Sequence, residues 1–445
     1  MPGSLQGTRF YIRTFGCQMN ENDSEHIAGL LAAAGAVPAA SAEESDIIIV
    51  NTCAVREKSE EKIYSYIGRI AALKKARPRI IGLAGCVAQL HRDRLFKKNL
   101  SIDFVVGPDN YRDLPLILAS SLEGRVVCAE WSREWREIRP DETLRDSPTS
   151  AYVPIMEGCD NFCSYCIVPF SRGRVKCRPK SRVLDEVRHL ARSGFREIHL
   201  LGQNVNAYRD PESGTDFASL LEDVSRDGGI AWIRFLTSHP KDLVPDIARA
   251  MAGHAVICRQ IHLPLQSGST AVLNRMNRGY TREEYMSKID LLRTFMPEIS
   301  LSTDIIVGFP GETDADFEKT LRAVDEVGFT NIFSFRYSPR PRTSASGAAD
   351  DVPADVKKDR LIELQERQKR IQLAANRSIV GRDLRVLCLG HSKKGGGPYS
   401  GRNEGFQVVN FASPRDVRGL FVDVRITGCG PYSLHGELRD EGTAR

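Results

Sequence analysis

Three cysteines in one short run have the spacing of an iron–sulfur ligand set. The run Glu-Gly-Cys-Asp-Asn-Phe-Cys-Ser-Tyr-Cys contains Cys159, Cys163 and Cys166 and follows an apolar, strand-like stretch. Three thiolates at this spacing hold three irons of a 4Fe-4S cube and leave the fourth iron open to another ligand. Zinc is the alternative, because it also binds closely spaced cysteines, and His189 or His199 could supply its fourth ligand. The motif therefore predicts a metal centre and leaves both metals open.

A second set of cysteines follows the strands of a predicted N-terminal domain, residues 1–122. Short β-rich runs alternate there with longer helical ones, which predicts an open parallel α/β sheet with strands over 9–13, 46–50, 79–83 and 102–106. Cys17, Cys53 and Cys86 each follow the end of one of the first three strands. Carboxyl ends of parallel strands meet at one sheet edge, so we expect a second three-cysteine site there. The alternative is that these are buried, inert thiols.

The composition is that of a multidomain globular protein. A chain of 445 residues exceeds what one hydrophobic core usually supports. No run approaches the roughly 18 apolar residues of a membrane span, and the start lacks a signal peptide, so we expect a cytoplasmic protein without membrane contact. Eleven cysteines, an odd number, favour metal binding over disulfides in that compartment. A net charge of +5 is compatible with a polyanionic partner.

The central region, residues 151–352, repeats a strand–helix unit six times. Strands are predicted over 151–156, 197–201, 232–236, 260–265, 299–308 and 331–335, with helices over 182–193, 216–226, 243–252, 282–295 and 314–327. Six units are two short of a closed eightfold barrel, so we expect a partial (β/α)6, TIM-like barrel with an open side. Polar clusters follow its strands at the face where barrel active sites lie, and the cysteine run follows its first strand.

Two connections and a third domain complete the chain. Residues 123–150, rich in charge, Pro and Trp, are predicted to be a linker, and residues 353–379 a linking helix. Residues 380–445 are predicted to form a small antiparallel β-barrel with strands over 384–389, 407–411, 420–426 and 434–438. Its surplus of basic residues indicates RNA binding through Lys393, Lys394 and Arg402, with a merely solvated surface as the alternative.

The whole arrangement resembles the radical S-adenosylmethionine (SAM) methylthiotransferases, over nearly the full chain. The resemblance rests on the two cysteine sets, on a C-terminal barrel similar to a TRAM domain, and on four runs. These runs are Phe-Gly-Cys-Gln-Met-Asn, Asn-Thr-Cys-Ala-Val-Arg-Glu-Lys-Ser-Glu, Leu-Gly-Gln-Asn-Val-Asn-Ala-Tyr and Ile-Val-Gly-Phe-Pro-Gly-Glu-Thr. They are most similar to the branch that modifies isopentenyl-adenosine in tRNA. One departure is Cys177, where that family more often has Ser.

The resemblance implies two 4Fe-4S clusters and SAM as cofactors. SAM would bind the open iron held by Cys159, Cys163 and Cys166 and yield a carbon radical, while the cluster on Cys17, Cys53 and Cys86 would hold the sulfur to be transferred. Tyr165 would pack on the adenine of SAM, and Gln203, Ser238 and Gln266 would add polar contacts. No catalytic acid or base is expected, because the carbon attacked is unreactive toward both.

The implied reaction adds a methylthio group to carbon 2 of isopentenyl-adenosine beside the anticodon. Its partners would be the tRNA anticodon stem-loop, an electron donor such as flavodoxin or ferredoxin, and a sulfur donor, with the protein a monomer. Alternative substrates are threonylcarbamoyl-adenosine in tRNA and an aspartate of a ribosomal protein. An alternative of another class is a non-catalytic protein that binds zinc and RNA.

A basic residue recurs at every second position directly after the cysteine run. The six residues are Arg172, Arg174, Lys176, Arg178, Lys180 and Arg182. If the segment is extended, all six side chains project to one side and form a basic row, which we expect to bind anticodon-loop phosphates. The alternative is a solvated charged strand in which single arginines serve packing or SAM binding.

Overall fold

The computed structural model describes residues 5–54, 57–98, 100–392 and 398–439. It contains a six-stranded parallel sheet, a central barrel of six parallel strands in two three-stranded halves, and a small closed barrel. This confirms the predicted fold class. Within the described residues no helix is both long and apolar enough to cross a membrane.

The N-terminal sheet is parallel throughout, with the strand order β2-β1-β3-β4-β5-β6. The strands are β1 (Arg9–Thr14), β2 (Val37–Pro38), β3 (Ile47–Thr52), β4 (Ile80–Gly85), β5 (Phe104–Val106) and β6 (Val126–Cys128). The helices are α1 (Gln18–Ala33), α2 (Glu57–Ala71), α3 (Cys86–His91) and α4 (Leu114–Ser121). Every residue of β3 is buried, as expected for the middle of a sheet covered on both faces.

The sheet continues into the segment predicted to be a linker. The four predicted strands are present, but β2 and β6 were not predicted, because runs of two and three residues carry no usable hydrophobic period. β6 pairs with β5, so the sheet passes the predicted domain end at residue 122. Farther along the segment, the Leu144 N–H donates to the carbonyl of Glu25 in α1 at 3.1 Å.

The central barrel contains all six predicted strands and one additional short antiparallel strand pair. Its strands are β7 (Ser150–Pro154), β8 (Met156–Glu157), β9 (Lys176–Cys177), β10 (Glu197–Leu201), β11 (Trp232–Phe235), β12 (Gln260–His262), β13 (Ser300–Val307) and β14 (Asn331–Arg336). Strands β7-β10-β11 and β12-β13-β14 form two parallel halves, joined by a bridge between Ile233 and Ile257. Strands β8 and β9 form a separate two-stranded antiparallel sheet.

The part of the barrel that the structure describes contains seven α-helices. They are α5 (Val168–Ser171), α6 (Lys180–Arg192), α7 (Phe217–Asp227), α8 (Pro245–Gly253), α9 (Thr270–Arg275), α10 (Arg282–Phe295) and α11 (Asp314–Val327). The five predicted helices are present. α5 and α9 are too short, at four and six residues, to show a helical period in the sequence.

The last domain follows the predicted connecting helix, α12 (Ala354–Arg377). Its strands are β15 (Asp383–His391), β16 (Tyr399–Asn403), β17 (Val408–Ala412), β18 (Phe421–Cys429) and β19 (Leu434–Leu438). They close in the order β15-β16-β17-β19-β18. One correction is needed: β17 and β19 are parallel, so the barrel is not antiparallel throughout. The unpredicted β16 has no run of apolar residues.

The C-terminal barrel packs against the amino-terminal ends of the central strands. Arg234, fully buried in β11, pairs with Glu197 at 2.6 Å and donates to the carbonyls of Asn403 and Glu404 at 2.8 and 2.6 Å. The Ser300 hydroxyl at the start of β13 donates to the Gly405 carbonyl at 2.9 Å. The carboxyl-terminal ends of the central strands therefore lie on the opposite side, with the cysteine run and the N-terminal domain.

Candidate functional site

The cysteine run forms a tight loop between β8 and α5. Gly158 opens it with φ +79°, and a Cβ at that position would lie 2.1 Å from the carbonyl oxygen of Arg174. Only glycine fits this close approach in a left-handed backbone conformation. The Gly158 N–H donates to Oε1 of Gln203, from the loop after β10, at 2.5 Å. Gln203, predicted to contact SAM, therefore fixes the loop that carries Cys159, Cys163 and Cys166.

The inner half of this loop is anchored on the segment that follows α9. The backbone N–H of Ser164 donates to the Met276 carbonyl at 2.9 Å, and the Ser164 hydroxyl to the Arg275 carbonyl at 2.8 Å. The next buried residue, Arg278, donates through Nη1 to the sulfur of Cys163 at 3.3 Å. One sulfur of the set thus already accepts a hydrogen bond from a cation. Burial raises the pKa of the Cys166 thiol to about 12, so metal binding there must release a proton.

A cavity of about 570 Å³ opens beside this loop. Tyr165 and Cys166 form one wall, and side chains from β13, from β14 and from the loop after β12 form the others, among them Asp304, Arg336 and Gln266. The volume is that of a small-molecule site. Tyr165 accordingly lies where an aromatic face could meet a bound purine ring.

Buried polar atoms near the strand ends have no protein partner. Ser238 Oγ and His239 Nε2 after β11, and Gln266 Oε1 after β12, are buried and form no hydrogen bond with any residue that the structure describes. Leaving such atoms unpaired is costly, which indicates that a polar ligand satisfies them. Thr237 and Gln266 also adopt positive φ values of 66° and 68°, a strained conformation typical of functional sites. The donor set therefore fits a polar cofactor such as SAM.

The three N-terminal cysteines follow neighbouring strands of the sheet. Strands β1, β3 and β4 are adjacent in the sheet, and Cys17, Cys53 and Cys86 stand just past their carboxyl ends. The Cys17 sulfur is hydrogen-bonded with Cys53, which lowers the pKa of Cys17 to about 6, and the charge of Arg172 acts in the same direction. An acidic thiol near a cation is well suited to metal binding.

Polar side chains hold this second set in place. Asn20 in α1 donates to Asn51 Oδ1 at 3.2 Å and to the Thr52 carbonyl at 3.1 Å, all three being buried. The Thr52 hydroxyl donates to the Ala84 carbonyl at 2.6 Å and accepts the Val87 N–H at 3.2 Å. These bonds tie the ends of β3 and β4 to α1 and α3 and so fix the three cysteines relative to one another.

The central barrel contributes a cation to this second site. Arg172, at the end of α5, is only 4% exposed and binds Asp23 of α1 with both terminal nitrogens, at 2.5 and 3.3 Å. Burial raises the pKa of the nearby Cys86 thiol, the positive charge of Arg172 acts to lower it, and Glu157 lies 4.0 Å from Arg172. The same short segment therefore carries the three cysteines of one set and a guanidinium whose charge acts on the other set.

The predicted exposed row of basic side chains is wrong for three of its members. Arg172, Lys176 and Arg178 are buried in ion pairs that join the barrel to the N-terminal domain and to the segment between them. Their carboxylate partners are Asp23 for Arg172, Asp109 and Glu157 for Lys176, and Glu137 and Glu186 for Arg178. The segment is not one extended strand, since only Lys176–Cys177 is a strand and α6 begins at Lys180.

The remaining members of the row differ in exposure. Arg174 is 70% exposed, lies over the ring of Phe162 in the cysteine loop, and forms one ion pair among the described residues, with Asp160 at 3.1 Å. Lys180 is paired with Asp223 at 2.9 Å, and Arg182 is exposed on α6. Arg174 is thus the member of the row that both reaches solvent and adjoins the candidate site.

Other predicted residues have different surroundings. Lys393 and Lys394 lie outside the described residues. Arg402 is half-buried, lies over the Phe406 ring at 4.0 Å and donates to the Phe406 carbonyl at 2.8 Å, so its guanidinium faces the protein. Cys177 accepts the backbone N–H of Arg209 at 3.4 Å, a contact that the more usual Ser would also make.

The described residues contain no ready-made site for a single zinc ion. His199, one suggested ligand, is buried and bound to Glu197 at 3.0 Å, near the seam with the C-terminal barrel. Among the residues that the structure describes, no three His, Cys, Asp or Glu side chains lie close enough together to hold one metal ion.

Two functional candidates escaped the sequence reasoning. Arg278 follows the unpredicted helix α9, and nothing in Asn277-Arg278-Gly279-Tyr280 resembles a ligand motif. Asp23 lies in the middle of α1, a helix in which acidic residues are ordinarily exposed. No pattern in the sequence indicates that this side of α1 is buried, and only the three-dimensional structure reveals it.

Two family models match separate parts of the chain. The model of the Radical SAM superfamily matches residues 153–324, and the model described as Uncharacterized protein family UPF0004 matches residues 9–107. A protein of Geotalea uraniireducens named tRNA-2-methylthio-N(6)-dimethylallyladenosine synthase is 47% identical over 96% of this chain and 98% of its own length. A protein of the same name from Chlorobium limicola is 46% identical over 97% and 98%.

A solved structure shares the fold at low sequence identity. The radical S-adenosylmethionine methyltransferase TsrM of Kitasatospora setae, solved with cobalamin and a 4Fe-4S cluster bound, superposes with a TM-score of 0.57. The match covers 77% of this chain and 74% of that one, with 15% identity. It shows that most of this chain has a fold found in a solved structure.

Proposed function

The chain belongs to the family of tRNA-2-methylthio-N(6)-dimethylallyladenosine synthases, and from this membership we propose that it adds a methylthio group to carbon 2 of isopentenyl-adenosine beside the anticodon of tRNA. The proposal requires two SAM molecules, a one-electron donor such as flavodoxin or ferredoxin, and a sulfur donor. It places the protein in the cytoplasm, where tRNA is, acting as a monomer.

One observation supports the proposal above all others: two separate three-cysteine sets adjoin the barrel edge, linked by the single segment 159–172. Each set has one ligand fewer than a cluster that only carries electrons, so each leaves an iron open. Cys159, Cys163 and Cys166 would hold the cluster that binds SAM. Cys17, Cys53 and Cys86 would hold the cluster that carries the sulfur.

The residues beside the first set fit SAM. The unpaired Ser238 Oγ and Gln266 Oε1 are polar atoms that a ligand with amino, carboxylate and ribose groups would satisfy. When bound, SAM and the two clusters supply the one-electron chemistry and the methylated sulfur that substitution at an unreactive carbon demands. Tyr165 would orient the adenine, and Gln203, through Gly158, would keep the cysteine loop in place.

The protein's remaining task is to bring the nucleotide into the open side of the barrel. The cavity walls carry Asp304 and Arg336, which offer an acceptor and donors for the edge of a purine. Arg174, exposed at the rim, is placed to bind a backbone phosphate of the anticodon loop. Excluding water from this cavity would protect a radical from side reactions.

The test is reconstitution of the purified full-length chain under anaerobic conditions. We expect about eight irons per chain for the wild type, and about four for each variant in which one three-cysteine set is replaced by alanine. With SAM, sulfide and a low-potential reductant, only the wild type should convert isopentenyl-adenosine in an anticodon stem-loop to its methylthio form. Stoichiometric zinc without iron would contradict the proposal, as would turnover by the Cys17, Cys53 and Cys86 triple variant.

A further inference from the structure

Each cysteine set has one buried arginine whose charge acts on it. Arg278 donates to the sulfur of Cys163 at 3.3 Å, and the charge of Arg172 acts on both Cys17 and Cys86. Both side chains are 4% exposed. A guanidinium is charged at every accessible pH, so each set lies next to a permanent positive charge shielded from water.

The two arginines differ in how their charge is balanced. Arg172 is neutralised by Asp23 at 2.5 Å, with Glu157 at 4.0 Å. The partners of Arg278 other than Cys163 are uncharged groups: the carbonyl of Pro264 at 2.9 Å, and the hydroxyls of Tyr280 at 2.9 Å and Tyr165 at 3.4 Å. Over the described stretches of the chain, no carboxylate lies within 4.0 Å of Arg278. The first set therefore carries an uncompensated charge and the second does not.

The charge of Arg278 also acts on a neighbouring imidazole. Burial lowers the pKa of His239 to about 2, and the charge of Arg278 acts in the same direction, so that imidazole stays neutral. An unpaired buried guanidinium is expensive, and a protein retains one where an anion balances it. The anion available at this position is the cluster with its three thiolates, together with the carboxylate of SAM.

We infer that Arg278 is a positioning residue that sets the order of reduction, so that an electron enters the cluster on Cys159, Cys163 and Cys166 before the one on Cys17, Cys53 and Cys86. The inference rests on the proposed function, because it presupposes both clusters. Reduction takes one electron from a low-potential donor and adds one negative charge, with no bond made or broken. An uncompensated cation beside the sulfur favours the added charge, whereas the Arg172–Asp23 pair is nearly neutral.

The experiment is a redox titration of the anaerobically reconstituted full-length chain, followed by electron paramagnetic resonance. The two signals are separated by replacing one cysteine set at a time with alanine. Arg278→Met should lower the reduced-to-oxidised ratio of the first cluster at least tenfold at a fixed potential, which is a shift of about 59 mV for one electron. Arg278→Lys, which keeps the charge, should recover most of it.

An independent variant tests the same reasoning at the second cluster. Asp23→Asn frees the charge of Arg172 and should raise the reduced-to-oxidised ratio there, leaving the first cluster unchanged. Unchanged midpoints in both Arg278→Met and Asp23→Asn, with about four irons on each set, would overturn the inference alone. Equal losses in Arg278→Lys and Arg278→Met would also overturn it. If Arg278→Met retains no iron at the first set, the midpoint potentials of Arg278→Lys and Asp23→Asn decide whether the inference stands. A wild type without iron would instead refute the proposed function.

Discussion

Arg178 offers a quantitative test of the account of the basic segment, because it was predicted to face RNA and is instead buried. It is 2% exposed and bonded to Glu186, itself 4% exposed, and through two nitrogens to Glu137. Its carbonyl accepts the buried hydroxyl of Tyr208 at 2.8 Å. The side chain thus joins the barrel to the segment that leads back to the N-terminal domain.

We predict that Arg178→Met lowers the free energy of unfolding by about 3 kcal/mol. Removing one partner of a buried ion pair costs roughly 3–5 kcal/mol, since the other charge is left without compensation. The lower end applies here for two reasons. Glu186 keeps Arg145 as a second partner, and Glu137, 27% exposed, regains water. Methionine retains most of the apolar volume, so little cavity cost is added.

The assay is urea unfolding monitored by tryptophan emission, which Trp135, 6.0 Å from the Arg178 guanidinium, makes sensitive to this contact. The matched control is Arg174→Met, four residues away and 70% exposed, which should cost no more than about 1 kcal/mol. If the two variants unfold at the same urea concentration, or if Arg178→Met alone weakens tRNA binding without loss of stability, the buried placement is refuted.

Three further predictions concern the site itself. Gly158→Ala should lower the iron bound at the Cys159 set by more than half in iron analysis, while the second set keeps its iron. The reason is that the added Cβ would lie 2.1 Å from the Arg174 carbonyl oxygen. Normal iron binding at both sets would show that the loop tolerates another conformation. Ser238→Ala should weaken SAM binding about two- to tenfold by calorimetry, with unchanged or slightly higher thermal stability, since the hydroxyl is buried and unpaired without a ligand; a loss of stability with unchanged affinity would contradict this. Arg174→Ala should weaken tRNA binding and reduce the slope of log affinity against log salt by about 1, whereas Arg188→Ala on α6 should change neither; equal slopes for both variants would remove Arg174 from the interface.

Much of this organisation was predictable because it rests on local pattern. The six central strands carry apolar runs of ordinary length, and the N-terminal cysteines each follow such a run, so strand adjacency alone brings them together. β2, β6, α5 and α9 were beyond reach, since elements of two to six residues owe their conformation to tertiary pairing rather than to a sequence period.

The basic segment shows why residue spacing fails to predict burial. Alternating charges indicate one exposed side only if nothing packs against it, and here Asp23, Asp109 and Glu137 approach from other parts of the chain. Those carboxylates lie at least 41 positions away in sequence from their partners. Arg278 was missed for the same reason, because its contact with Cys163 spans 115 positions.

The most direct test of the proposed reaction is the mass of the modified nucleosides in tRNA digested from cells that lack this chain. The account predicts that the methylthio form of isopentenyl-adenosine disappears and that the unmethylthiolated nucleoside accumulates. Complementation by the wild type should restore it, and variants lacking either three-cysteine set should not. An unchanged amount of the methylthio nucleoside would contradict the substrate assignment and turn attention to threonylcarbamoyl-adenosine or a ribosomal-protein aspartate. Restoration by the Cys17, Cys53 and Cys86 triple variant would contradict the role of the second cluster.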